Sequence, residues 1–269
     1  MLDPITARLL RNSGHQGSIV LMYHSMTPGT ATPSWRYAVS RKNFCAQLDL
    51  LKSEGWQTYR LDQLIQQPLP PRSVVITFDD GYQDNFVAFE ELIRRNMTAS
   101  WFIVSRDIGE QTRWRDPGTT QARLLNASQL RDMHAAGIEI GAHSHRHLRL
   151  PECDDETLAT ELSVSKSTLE ELLATPINSM AYPYGAYDER VITATRAAGY
   201  LAACTTRTGW ALAGQDALQI RRLSIYAQDK LGDFARKLTF ADNEGTWRNL
   251  LRYARHRVIE RISKVIGPT

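Results

Sequence analysis

Short apolar runs alternate along most of the chain with stretches in which apolar residues recur every three or four positions. This alternation is typical of repeated strand–helix units and predicts a parallel sheet or barrel. The predicted strands are residues 18–23, 73–78, 99–104, 137–141, 177–182, 200–204 and 219–225. The predicted helices are residues 40–54, 84–95, 128–136, 155–173 and 188–198, with Ser40 as a predicted N-cap.

Two segments, residues 28–37 and 107–120, show neither the apolar runs of strands nor the three-to-four-residue spacing of helices. Both are rich in Pro, Gly, Thr, Arg and Trp. They are therefore predicted to be long loops. Long loops on a barrel often shape a binding cleft.

The composition excludes several classes of protein. With 42% hydrophobic and 23% charged residues, the 269-residue chain is neither fibrous nor disordered. A chain of this length buries enough surface to form one large core. Its three cysteines are too few and too scattered for a disulfide framework or a cysteine-rich zinc site. We therefore expect an α/β domain that its own core stabilises.

Basic residues are concentrated near the C-terminus. Residues 246–269 contain six Lys or Arg residues and one Glu, whereas the whole chain has a formal net charge of +3. A weakly acidic body with a basic tail argues against nucleic-acid binding. From Trp247 onward, apolar residues fall on one helical stripe with basic flanks, as in helices that lie in a membrane interface. Residues 246–266 are thus a candidate for peripheral contact with an anionic membrane, and a helix docked on the barrel is the alternative.

No apolar run in the sequence reaches the roughly 18 residues that a membrane span requires. The first residues include Asp3, Arg8 and Arg11, where a signal peptide would have an unbroken apolar stretch. These observations predict a cytoplasmic protein that is peripheral to the membrane if the tail binds lipid. The predicted divisions are an N-terminal segment (1–17), a barrel (18–228) and a basic amphipathic helical tail (229–269).

The apolar run 73–78 ends in two adjacent carboxylates, Asp79 and Asp80, followed by Gly81. In parallel sheets and barrels, ligands bind beyond the C-terminal ends of the strands. One such carboxylate can bind a cation while the other takes a proton from water. The alternative is a turn in which an Asp caps the next helix, although Asp84 fits that role better.

Three of the seven histidines lie within five residues, directly after the predicted strand 137–141. If the chain turns helically there, His143 and His147 share one face and His145 points away. A chance surface cluster is the alternative. Together with the carboxylate pair, the two histidines have the composition of a three-ligand hydrolytic metal site with a position open for water.

Three segments together resemble the motifs of the polysaccharide deacetylases of carbohydrate esterase family 4, which have the NodB-homology fold. The segment TFDDG (77–81) resembles the first motif, HSHRH (143–147) the second and AYPYG (181–185) the third. The resemblance extends over about residues 18–226. It implies a single α/β domain with a distorted, TIM-like (β/α)7 barrel.

The resemblance also implies a metal-dependent hydrolase that removes an acetyl group, or alternatively a formyl group, from an N-acylated amino sugar in a polysaccharide or lipid-linked glycan. It assigns the ligands of a divalent metal, with zinc expected, to Asp80, His143 and His147. Asp79 would be the general base. The backbone N–H of Tyr184 would join the metal in stabilising the oxyanion, although the Tyr-Pro-Tyr-Gly segment is also compatible with an ordinary turn.

Two residues are expected to contact the substrate. Trp210 lies near the position where the family has a hydrophobic wall for the acetyl methyl group, and Tyr182 belongs to the third motif. For any single tryptophan of this chain, simple packing is the alternative.

The chain departs from the family pattern at two positions. Many members have an Arg two residues before the proline of the third motif, where this chain has Ala181, so we expect Arg222 to orient Asp79, with Arg221 as a weaker candidate. A surface ion pair is the alternative for Arg222. The second departure is the family's late histidine, which serves as the general acid. This chain lacks it and has Tyr226 at roughly that position.

His24, at the end of the first predicted strand, is the expected substitute for that acid. In this respect the chain resembles a permuted subgroup that includes poly-N-acetylglucosamine deacetylases. A hydrogen-bonded core histidine is the alternative. For the whole protein, a non-catalytic carbohydrate-binding or scaffold protein on the same fold is the second hypothesis. A metal-dependent phosphodiesterase is disfavoured because we expect neither a Gly-rich phosphate cradle nor a converging cluster of arginines near the motifs.

Overall fold

The computed structural model describes residues 2–12, 17–30, 33–114 and 122–247. The strands are β1 (Ile19–Tyr23), β2 (Ser25–Thr27), β3 (Ala38–Ser40), β4 (Gln57–Tyr59), β5 (Ser73–Phe78), β6 (Ser100–Ile103), β7 (Glu139–Ala142), β8 (Ser179–Ala181), β9 (Ala202–Cys204) and β10 (Leu223–Ser224). The helices are α1 (Pro4–Asn12), α2 (Arg41–Ser53), α3 (Leu61–Gln66), α4 (Phe86–Arg94), α5 (Ala127–Ala135), α6 (Asp155–Leu173), α7 (Glu189–Ala197) and α8 (Leu231–Phe240).

One parallel sheet organises these elements. Its strands lie in the order β10–β1–β5–β6–β7–β8–β9, and β4 pairs with the first half of β5. A parallel bridge between Cys204 and Ile220 links β9 to the segment that leads into β10. The two ends of the sheet therefore approach each other, and the sheet curves into an incompletely closed barrel with helices outside it. This confirms the predicted α/β, TIM-like barrel.

All seven predicted strands are present, with bounds that differ mostly by one or two residues. The last is shorter than predicted, because Ile220 pairs with β9 and only Leu223 and Ser224 pair with β1. The five predicted helices are also present, and the Ser40 hydroxyl caps α2 by accepting a hydrogen bond from the Asn43 amide at 3.2 Å. The periodicity did not predict β2, β3, β4, α1, α3 and α8, most of which are short.

The alternation of side chains along β5 separates two layers of core. Val74, Ile76 and Phe78 belong to the large cluster between the sheet and the helices, whereas Val75 belongs to a smaller cluster inside the barrel. Because successive side chains point to opposite faces, Thr77 and Asp79 continue the inward series. The sheet thus delivers a carboxylate to the barrel interior at the C-terminal end of β5.

The two ends of the described chain pack on each other. Helix α1 lies against α8, and the Arg236 guanidinium of α8 donates a hydrogen bond to the Thr6 hydroxyl of α1 at 2.8 Å. Leu10 and Phe234 are fully buried. The predicted domain boundaries stay a prediction. The segment proposed to contact membranes lies outside the described residues beyond Trp247. Within the described ranges, no helix is both long and apolar enough to span a membrane.

Candidate active site

A cleft of about 570 Å³ opens where the C-terminal ends of the strands converge. His24 follows β1, the Asp79–Asp80 pair follows β5 and His143 follows β7, and all of them line the cleft. The loop before β3 contributes Ser34, Trp35, Arg36 and Tyr37, and the loops after β7, β8 and β9 contribute His147, Arg149, Tyr184, Gly185 and Thr206. The cleft therefore lies where ligands bind in parallel barrels.

Asp80, His143 and His147 form the group of potential metal ligands in the described part of the chain. One ligand atom from each lies within 4.8 Å of the others, and all three residues are buried. The Asp80 Oδ1 atom is 3.3 Å from His143 Nε2 and 3.2 Å from His147 Nε2. Two imidazoles and one carboxylate that converge in this way fit a divalent transition metal such as zinc.

Hydrogen bonds fix the orientation of both imidazoles. His143 Nδ1 lies 2.8 Å from the Ala181 carbonyl oxygen, and His147 Nδ1 lies 3.2 Å from the Tyr184 hydroxyl. In each ring this leaves Nε2 for Asp80 and for an ion. Outer contacts of this kind set the tautomer and direction of metal-binding histidines.

The chain does not turn helically after β7, which was the condition for His143 and His147 to share one face, yet the two histidines do come together. Ser144 and His147 both have φ near 60°, in the left-handed region, so the segment forms a tight loop. The Ser144 hydroxyl accepts a hydrogen bond from the His147 amide at 3.0 Å. His145 points away, as predicted, with its Nδ1 3.0 Å from the Ser105 hydroxyl.

Arg222 and Asp79 form a buried bidentate ion pair. Arg222 NH1 and NH2 donate to Asp79 Oδ1 and Oδ2 at 2.6 and 2.7 Å. Further hydrogen bonds to the Thr77 hydroxyl and the Thr205 carbonyl hold the guanidinium. Burial alone would raise the pKa of Asp79, but the charge and hydrogen bonds of Arg222 outweigh it and lower the pKa below its usual value. Asp79 is therefore ionised and fixed in direction.

His24 is half-buried beside the aromatic residues of the cleft. Its ring centre is 4.9 Å from that of Tyr37 and 6.0 Å from that of Trp35. Its Nδ1 atom is buried and has no hydrogen-bond partner among the described residues. Burial lowers the pKa of His24, and the carboxylates of Asp80 and Asp79 oppose that shift.

Several sequence-predicted positions differ from expectation. Tyr182 is fully buried outside the cleft, with its hydroxyl donating to the Leu218 carbonyl at 3.1 Å, because alternation along β8 turns it toward the helix layer. Trp210 packs against the large core cluster and is not among the residues that line the cleft. Asp84 does not cap α4, because its carboxylate accepts hydrogen bonds from the Ser25 hydroxyl and the Met26 amide.

Other cleft residues were missed by the sequence reasoning. Tyr37, Arg36 and Arg149 line the cleft. Tyr226 is not among the lining residues, and the Arg36 guanidinium carbon and Lys237 Nζ lie 4.2 and 4.3 Å from the centre of its ring. The loop composition of residues 28–37 pointed to the cleft but not to the individual side chains.

Comparisons with known proteins show the family of the chain. The sequence model of the polysaccharide deacetylase family matches residues 66–203, and the chain belongs to that family. The Bacillus subtilis (strain 168) protein YxkH is 29% identical over 212 residues, which are 77% of this chain and 70% of YxkH. A Staphylococcus aureus (strain N315) poly-beta-1,6-N-acetyl-D-glucosamine N-deacetylase is 24% identical over 177 residues, 61% of this chain and 59% of that enzyme.

Solved structures show the same fold. A polysaccharide deacetylase from Bacillus cereus superposes with a TM-score of 0.71 at 25% identity, over 83% of this chain and 69% of that one. IcaB from Ammonifex degensii superposes with a TM-score of 0.68 at 23% identity, over 84% of this chain and 97% of that one. The family predicted from the three motifs is confirmed.

Proposed function

We propose that this protein is a metal-dependent hydrolase that deacetylates an N-acetylated amino sugar of a glycan. The observation that carries the proposal is the group of three buried ligand atoms within 4.8 Å of one another, next to a carboxylate in a bidentate ion pair. Membership of the polysaccharide deacetylase family and similarity to a staphylococcal N-deacetylase support the same reaction.

Asp80, His143 and His147 would hold the ion, for which zinc is the expected element. When bound, the ion supplies Lewis acidity that polarises an acyl oxygen and lowers the pKa of water. The burial of all three ligands and the hydrogen bonds on both Nδ1 atoms prepare the group for such an ion before it binds.

Asp79 is the proposed general base. Its lowered pKa keeps the carboxylate ionised at neutral pH, and Arg222 holds both oxygens at the floor of the cleft. The attacking water loses a proton to Asp79 as its oxygen bonds to the acyl carbon. Cleavage of the carbon–nitrogen bond then yields acetate and the free amine.

His24 is the proposed general acid, and the Tyr184 backbone N–H is the proposed second donor to the oxyanion. The unpartnered Nδ1 of His24 in the cleft supports the first assignment, because burial lowers the pKa of the ring and leaves it able to accept a proton. We propose that the ring takes up a proton within the site and passes it to the leaving amine. The position of Tyr184 on the cleft wall, with φ of 60°, supports the second assignment.

Acetate release from N-acetylglucosamine oligomers tests the proposal, using chelated protein with and without added zinc. We expect zinc to restore release in the wild type and not in Asp79→Asn. Asp155→Asn, on the exposed start of α6, is the matched control and should retain full activity. Binding of the oligomers without acetate release would instead support the non-catalytic carbohydrate-binding hypothesis.

We also propose that residues 246–266 contact anionic membranes, on the sequence pattern described above. Flotation with anionic liposomes tests this. The full chain should float and a chain ending at Asn243 should not, whereas equal behaviour of the two would remove the proposal.

A further inference from the structure

A second groove of about 400 Å³ opens beside the catalytic cleft. Both cavities are lined by His147, Arg149 and Tyr184. We call the second cavity the arginine groove, because it is lined by four arginines and by one acidic residue, Glu152, among the described residues. Its arginines are Arg106, Arg113, Arg146 and Arg149.

We propose that the arginine groove binds an anionic group, a phosphate or a carboxylate, on the glycan whose acetamido group enters the catalytic cleft. The proposal rests on the proposed deacetylase function and specifies its substrate class. The anionic group would lie on the sugar unit next to the one that reacts.

Buried carboxylates hold three of the arginines from below. The side chains of Asp107 and Glu161 are fully buried. Asp107 accepts from Arg106 Nε at 3.0 Å and lies 3.2 Å from Arg113 Nε, and Glu161 accepts from Arg146 Nε at 2.6 Å. The terminal N–H groups of Arg113 and Arg146 make no hydrogen bond to any described residue. The guanidinium groups are thus oriented while donors stay available to a ligand.

Arg149 is the one arginine of the groove that also lines the catalytic cleft, and it forms no ion pair with a described residue. Its guanidinium carbon is 4.7 Å from the centre of the Tyr184 ring, and the Tyr184 hydroxyl is 3.2 Å from His147 Nδ1. Among the described residues, no carboxylate lies within 4 Å of it. A positive charge therefore stands one aromatic ring away from a proposed metal ligand.

The donor set favours an anion over an uncharged sugar. Guanidinium groups only donate hydrogen bonds, and their planar N–H pairs match the oxygens of a phosphate or carboxylate. The catalytic cleft itself presents Trp35 and Tyr37, aromatic surfaces that suit a sugar ring. Cleft and groove are thus suited to two different parts of one ligand.

The test compares three substrates: tri-N-acetylchitotriose, the same trimer with its reducing end oxidised to a carboxylate, and its reducing-end 1-phosphate. Zinc-loaded wild type should deacetylate an anionic trimer with about tenfold higher kcat/KM than the neutral one, as one charge-assisted hydrogen bond implies. High salt should reduce this preference. Arg149→Gln should abolish the preference, so that the charged and neutral trimers have equal kcat/KM in this variant. The control is Arg131→Gln, an exposed position on α5, which should behave as wild type.

Binding is measured in parallel, by calorimetric titration of Asp79→Asn with each trimer. An anionic trimer should bind more tightly than the neutral one, and this difference should be lost in the double variant with Arg149→Gln. That result would support anion binding in the arginine groove even if no trimer is deacetylated. In that case the proposed function would fail and the anion site would stand. The relative strength of the phosphate and carboxylate trimers identifies the anion. Equal binding and equal turnover of charged and neutral trimers, or an equal loss for all in Arg149→Gln, would overturn the proposal.

Discussion

Arg222 and Asp79 are 143 residues apart in sequence, yet their side chains meet in a bidentate pair with N–O distances of 2.6 and 2.7 Å. Arg222 precedes β10 and Asp79 follows β5, and β1 pairs with both strands. The register of three strands thus sets the direction of the proposed base. The pair occupies the barrel interior, where Ala181 replaces the arginine of many family members.

Arg222→Gln should lower kcat by about 100-fold, the scale of a misplaced general base. Removal of the guanidinium leaves the buried Asp79 without its counter-charge, so the pKa of Asp79 should rise and the acidic limb of the pH–rate profile should move to higher pH. Arg222→Lys keeps the charge but not the bidentate geometry, so its kcat should lie between those of the wild type and Arg222→Gln. The measurement is kcat against pH. An unshifted acidic limb in Arg222→Gln would contradict the assignment.

His143→Ala should lose both the ion and turnover, because it removes one of three proposed ligands and leaves Asp80 and His147. Asp79→Asn should lose turnover by about 100-fold or more while keeping the ion. Metal content after dialysis against zinc, measured by elemental analysis, separates the two. His145→Ala is the matched control from the same loop, because His145 points toward Ser105. Equal metal content in wild type and His143→Ala would rule out the ligand assignment.

The sequence predicted the metal group because its members lie in short motifs at strand ends. Arg222 was also predictable. Because Ala181 stands where many family members have an arginine, another arginine was needed to orient Asp79, and Arg222 adjoins the last predicted strand. The shape of the loop after β7 could not be predicted, because left-handed residues such as Ser144 and His147 leave no periodic signal.

The arginine groove was not predictable from the sequence, and it contradicts the expectation that no cluster of arginines converges near the motifs. Its orienting carboxylate Glu161 lies on α6 and Asp107 lies after β6, so packing alone brings them beneath the arginines. Similarly, the direction of Tyr182 depends on where β8 begins, and the sequence pattern does not fix strand bounds to a single residue.

Gly185→Ala should reduce activity sharply. Gly185 has φ of +63°, and a Cβ at this position would lie 2.1 Å from the Thr206 hydroxyl oxygen. Because both residues line the cleft, the clash would occur at the active site. Either the third-motif turn or Thr206 must then move. Gly137→Ala is the control, because φ is +89° and nothing lies within 4 Å of its Cβ, so only backbone strain of about 1 kcal/mol is added. Acetate release and thermal unfolding are measured for both.

Thr206→Gly in the Gly185→Ala background removes the atoms that the new Cβ would meet. Activity should recover in part, limited by the strain of the positive φ. If the double variant is as inactive as Gly185→Ala, the clash with Thr206 is not the cause.

Lys237 links α8, the last helix among the described residues, to the wall of the cleft. Its ammonium donates to the Ser224 carbonyl and the Asp229 carboxylate, and lies 4.3 Å from the Tyr226 ring, over which Arg36 also stacks. Lys237→Met should lower the free energy of unfolding by about 3 kcal/mol, because a buried carboxylate loses its partner. Asp229→Asn in the same chain should restore much of this, since no charge is then left unpaired.

Urea unfolding at neutral pH measures both Lys237 variants. Arg190→Met is the control, because the Arg190–Asp155 pair is exposed and should contribute less than about 1 kcal/mol. If Lys237→Met and the double variant lose equal stability, the loss comes mainly from packing of the lysine stem rather than from the unpaired charge.

Because Arg36 shares the Tyr226 ring, Lys237→Met should also raise KM for N-acetylglucosamine oligomers, with a smaller effect on kcat than that of Arg222→Gln. An unchanged KM would show that α8 does not influence the cleft wall.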